Sequence, residues 1–84
     1  MALGVSGTLP GLPPRVTTVR LPSLRYWRVQ RALYQDELAR RAGVSMATLW
    51  RLESGRPATI ATTRKLAEAL QVEPADLMRQ PPEA

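Results

Sequence analysis

Residues 35 to 55 read Gln35-Asp36-Glu37-Leu38-Ala39-Arg40-Arg41-Ala42-Gly43-Val44-Ser45-Met46-Ala47-Thr48-Leu49-Trp50-Arg51-Leu52-Glu53-Ser54-Gly55. Leu38, Ala39 and Ala42 recur at helical spacing, and Asp36 and Glu37 occupy the first turn, where carboxylates oppose the positive end of the helix dipole. A short amphipathic helix is expected from Gln35. Gly43 follows the last periodic residue, where a left-handed backbone is cheapest for glycine, and predicts a sharp turn. Ser45 supplies a hydroxyl to cap a second helix from Met46, with Val44 and Leu49 at the spacing of a hydrophobic staple. In that second helix Leu49 and Leu52 take the core stripe, whereas Met46, Ala47, Trp50, Arg51 and Ser54 fall on the opposite one. Gly55 ends it. Two short helices around a tight turn, the second with a free stripe, form a shape suited to reading a nucleic-acid groove.

Outward from this unit the chain stays helical. Leu24, Trp27 and the stem of Arg28 share a face, which predicts a first helix from Leu24 to about Ala32, with Leu33 turning inward. Beyond Gly55, Pro57 marks a loop, and Thr59 can cap a fourth helix whose apolar stripe is Ile60, Thr63, Leu66, Ala67 and Leu70. Val72 closes it. Pro74 stands at a favoured first helical position ahead of Asp76, Leu77 and Met78, predicting a short fifth helix. Pro10, Pro13, Pro14 and Pro22, with Gly4, Gly7 and Gly11, read as a disordered tail over residues 1–22. Within it, Arg15 to Leu21 is rich in β-branched residues, leaving open a strand paired with a second chain or an arm whose arginines follow a groove. The expected division is therefore a tail (1–22), a helical domain (23–79) and a frayed end (80–84).

Composition narrows the function. The chain of 84 residues has no Cys and no His, which speaks against thiol or histidine catalysis, disulfides and most zinc or haem sites. No catalytic residues, metal or cofactor are expected, since clustered carboxylates and a phosphate-cradling glycine loop are also missing from the pattern. No apolar run approaches the roughly 20 residues needed to span a bilayer, and Pro10 interrupts any secretory signal, so a cytoplasmic protein without membrane partners is expected. Leu24 to Lys65 carries nine basic residues against three acidic ones, while Leu66 to Ala84 carries one against four. Such a field suits a polyanion bound in a salt-sensitive way. Eleven Arg to one Lys suits planar, bidentate contacts, although a GC-rich genome gives the same bias.

Taken in order, Gln35-Asp36-Glu37-Leu38-Ala39, Gly43-Val44-Ser45, Leu52-Glu53-Ser54-Gly55 and Arg64-Lys65-Leu66-Ala67-Glu68-Ala69-Leu70 resemble the phage-repressor, or Xre/Cro-like, helix-turn-helix family over about residues 24 to 78. The resemblance implies an all-α, five-helix, lambda-repressor-like DNA-binding domain, a transcriptional regulator that represses as a homodimer with its third helix in the major groove of double-stranded DNA. It implies that Gln35 bonds a phosphate and braces the recognition helix, and that Met46, Ala47, Trp50 and Arg51 reach bases or nearby phosphates. Ser45 and Ser54 stand on the same surface. Arg51 is the candidate for a bidentate contact to guanine, with a phosphate contact as its alternative, while apolar Met46 and Ala47 can at most touch thymine methyls. Arg56 and the amides at the start of the fourth helix match phosphate positions. Arg28 and Glu53 match a structural pair that ties the recognition helix to the first. Trp50 is left with three readings: against thymine methyls or sugars, against a protein, or folded back on the second helix. A protein partner would make the chain an interaction module on the same fold, such as an antitoxin, coactivator or phage accessory protein. The sequence departs from the family at Tyr34, where a Ser or Thr cap is usual, at Ala32, where Gly is frequent, and at Thr63, where Leu is.

Overall fold

The computed structural model describes residues 17–82, which form five helices and a two-stranded ladder. In chain order these are β1 (Thr18–Val19), α1 (Leu24–Gln30), α2 (Gln35–Ala42), α3 (Met46–Glu53), β2 (Ala58–Thr59), α4 (Ile60–Leu70) and α5 (Pro74–Met78). The all-α, five-helix expectation holds, with the ladder as its one addition.

The helices start where side-chain acceptors are available. Ser45 accepts from the Thr48 amide at 3.0 Å, and Thr59 accepts from the Thr62 amide at 3.2 Å, so each satisfies a first-turn donor that the helix itself leaves unbonded. Tyr34 makes no such bond at the start of α2. Glu37 reaches back instead, accepting from the Tyr34 amide at 2.8 Å, which supplies half of a capping box. Asp76 does the same for the Glu73 amide ahead of α5. The first helix is shorter than the spacing predicts, because Ala32 turns left-handed at φ 58°.

A leucine-rich core gathers these elements. Leu24, Leu38, Leu49, Leu66, Leu70 and Leu77 are fully buried, with Leu21, Leu33, Leu52 and the small residues Ala39, Ala42, Ala58 and Ala67 around them. At about 1.5 to 3 kcal/mol per buried leucine, this packing is the dominant favourable term. The alanines let α2 approach both α3 and α4, so that α3 is seated on α2 and α1, while α5 closes the molecule against α4 and α1. Thr63, standing where leucine is usual, is buried but not orphaned: its hydroxyl donates to the Thr59 carbonyl at 2.8 Å.

The boundary at residue 22 needs correcting. The β-branched run does contain a strand, but it pairs within the chain, antiparallel, with Thr18 opposite Thr59 and Val19 opposite Ala58. Leu21 enters the core, and the Ser23 amide and hydroxyl bond the Leu77 and Arg79 carbonyls. The folded body therefore begins at least at Thr18. The expectation of disorder for residues 1–16 lies outside the described residues, as do Glu83 and Ala84 of the expected frayed end.

Candidate nucleic-acid interface

The geometry of α3 follows from its two stripes. Leu49 and Leu52 are buried in the core, and Met46, Ala47, Trp50, Arg51 and Ser54 are all exposed, so one face anchors the helix and the other meets solvent. The seat of the helix is further set by a polar network across three elements. Arg28 of α1 grips Glu53 with two bonds, Nε to Oε2 at 2.6 Å and Nη2 to Oε1 at 3.1 Å, and its Nη1 donates to the Leu33 carbonyl at 2.9 Å. The two side chains are only 12% and 7% exposed, so the attraction is little weakened by water and breaking it would leave an unpaired charge.

Gln35 continues the network from α2. Its Nε2 donates to Glu53 Oε1 at 3.0 Å, and its Oε1 accepts from the Trp50 indole at 3.1 Å. Carboxylate and indole N–H have opposite hydrogen-bonding character, which defines the amide's orientation. Trp50 thus leans toward α2, the third of its three readings, yet the residue is still 62% exposed. Its polar atom is satisfied and its apolar ring faces solvent.

The expected site residues separate into two groups by what their polar atoms already do. Ser45 donates to Thr48 Oγ1 at 2.9 Å while capping α3, and Ser54 donates to the Trp50 carbonyl at 2.7 Å. Gln35 keeps one amide hydrogen beyond the bond to Glu53. The guanidinium groups of Arg51 and Arg56, by contrast, have no hydrogen-bond or ion-pair partner among the described residues. They line one cleft of about 160 Å³ with Thr48, Thr59 and Thr62, at the start of α4, whose dipole presents its positive end there. Two guanidinium groups, hydroxyls and a helix start together favour an anion such as a phosphate oxygen.

Not all of the basic residues contribute to this field. Arg28 serves Glu53, and Arg31 donates Nε to the Leu70 carbonyl at the end of α4, at 2.8 Å, with its guanidinium 5.1 Å from the Trp27 ring centroid. Arg40 pairs with Asp36 on the surface at 3.3 Å. Arg25, counted in the sequence reading only toward the basic field, lines a second cleft with Arg28, Gln35, Trp50, Glu53 and Ser54, beside the exposed stripe. Its place three residues before Arg28, hence on the same side of α1, was the available signal.

A family profile described as Helix-turn-helix, HTH_3, matches residues 24–77. The restriction-modification controller protein C.AhdI from Aeromonas hydrophila is similar at 34% identity and a TM-score of 0.62, over 64% of this chain and 83% of that one. A hypothetical transcription factor, NHTF from Neisseria, is similar at 26% identity and a TM-score of 0.67, over 83% of this chain and 86% of that one. A hydroxyethylphosphonate dioxygenase Y98F mutant is similar at 29% identity and a TM-score of 0.63, over 79% of this chain but 15% of its own, so most of that enzyme has no counterpart here. No curated protein sequence matches significantly. No helix among the described residues is long and apolar enough to cross a membrane. The profile spans α1 to α5 and the turn between α2 and α3, and the chain belongs to the HTH_3 helix-turn-helix family.

Proposed function

We propose that this protein is a sequence-specific, DNA-binding transcriptional regulator acting in the cytoplasm, a repressor that binds double-stranded DNA as a homodimer with α3 in the major groove. The observation that carries this reading is the exposed stripe of α3, seated by the Arg28–Glu53–Gln35 network, carrying Arg51 and flanked by Arg56, whose guanidinium groups have no partner among the described residues. Similarity to a restriction-modification controller and to a transcription factor supports the regulatory role. In this arrangement Arg51 reads guanine in the groove, Met46 and Ala47 meet apolar base edges, and Arg56 and the start of α4 take phosphates. Gln35 offers its second amide hydrogen to the backbone. Two such surfaces related by a two-fold axis fall on half-sites about 34 Å apart.

Selection of bound duplexes from a random library tests this, followed by affinity for the winner and for a scrambled duplex at two salt concentrations. The expected result is a palindrome bound at least about 100-fold more tightly than scramble, about 2.7 kcal/mol, more than charge alone discriminates. Salt-sensitive binding to every duplex without enrichment would refute sequence-specific regulation. One feature favours a second reading, a protein-docking module: the ring of Trp50 is exposed although its N–H is already bonded. A Trp50→Ala variant that loses a protein partner but keeps its DNA affinity would support that alternative.

A further inference from the structure

Arg20 lies outside the helix-turn-helix, on the segment that the ladder ties to it. In an antiparallel pair, directly opposed residues point to the same side and side chains alternate along each strand. Val19 and Ala58 therefore share the side that meets the core, where both contribute to burial. Thr18 and Thr59 share the outer side, and Arg20, two residues from Thr18, follows them. Thr59 also lines the cleft of Arg51 and Arg56. Arg20 itself lines a neighbouring cleft with Val19, Gly55 and Met78, and this cleft meets the anion-favouring one where Gly55 leads into Arg56.

The Arg20 side chain is held on that surface. Its Nη1 donates to the carbonyl of Gly55, the left-handed residue that ends α3 and directly precedes Arg56. A guanidinium has five N–H donors, so one bond to a carbonyl leaves the charge and most donors available. Arg20 has no carboxylate partner among the described residues. Resting on the DNA-binding reading above, we propose that Arg20 is a further DNA-contacting residue, one that engages a backbone phosphate next to the one met by Arg56. The ladder would then extend the contact surface beyond the helix-turn-helix. The role is backbone positioning, because a residue on this surface lies off the stripe of α3 that faces base edges.

The test compares Arg20→Ala, Arg20→Gln and Arg56→Gln with the parent, measuring affinity for the selected duplex between 50 and 200 mM salt and thermal unfolding of each variant. Glutamine retains a donor for the Gly55 carbonyl but removes the charge. If Arg20 neutralises a phosphate, both Arg20 variants lower the salt slope by about one, so their affinity deficit shrinks about 3.5-fold across that range. A deficit in Arg20→Ala that Arg20→Gln restores, with the parent's slope, would show that Arg20 only braces the turn and would overturn the proposal. Parent-like slopes in both Arg20 variants beside a reduced slope in Arg56→Gln would overturn it while leaving the DNA-binding reading intact. A parent that binds no duplex would remove both.

Discussion

Ala32 and Gln71 end α1 and α4 as Gly43 and Gly55 end α2 and α3, each with a positive φ and a pair of backbone bonds to the last turn. In α1 the Leu33 amide bonds the Arg28 carbonyl at 3.1 Å and the Ala32 amide bonds Val29 at 2.9 Å; in α4, Val72 bonds Ala67 and Gln71 bonds Glu68. For a residue with a Cβ the left-handed conformation costs roughly 1 to 2 kcal/mol, part of which glycine would return through the greater freedom of its unfolded chain. Ala32→Gly and Gln71→Gly are each expected to stabilise the domain by about 0.5 kcal/mol, seen as a Tm rise of roughly 2 to 4 °C. A lower Tm in both would contradict this account of the turns. Glu53 acts in the opposite direction. Glu53→Ala leaves Arg28 without its carboxylate and Gln35 without its acceptor, and urea denaturation should show a loss of about 3 kcal/mol. Glu53→Gln, which keeps an acceptor for Gln35, should lose less.

The helix-turn-helix was legible wherever a single residue type answers a local demand. Gly43, Gly55, Ser45 and Thr59 mark helix ends because each solves a backbone problem within three or four positions. The Arg28–Glu53 contact came from family likeness, since no periodicity links residues 25 positions apart. The ladder's place was hidden for a similar reason: two-residue strands carry no period, and β1 and β2 are separated by most of the domain. The Arg20 bond to Gly55 likewise spans 35 positions. Within α3, the difference between Arg51 and Arg56 is a difference of location, one inside the helix stripe and one just past its end. Arg51→Ala should relax base preference at a single operator position at a cost of about 1 to 3 kcal/mol, read by competition among variant duplexes. Arg56→Ala should weaken all duplexes alike. If Arg51→Ala left the base preferences of the parent intact, the base-reading role would fall.

For the whole molecule, the folded unit is larger than the helix-turn-helix itself. Leu21 and the ladder join the segment before α1 to the core beside α4 and α5, so a chain starting at Ser23 should be less stable than one starting at Thr17. The difference should be about 2 kcal/mol or more by chemical denaturation, given what one buried leucine contributes. Equal midpoints would mean that the ladder contributes nothing to folding. In a domain this small such a difference is a large fraction of the total. The two tryptophans are placed unequally on this body: Trp27 is half-buried beneath Arg31 and edge-on to Tyr26, whereas Trp50 stands in solvent on the exposed stripe of α3. That asymmetry supplies an optical reporter without any label. With Trp27→Phe in the background, the emission comes from Trp50 alone, and duplex contact at α3 should change its intensity and wavelength in proportion to occupancy.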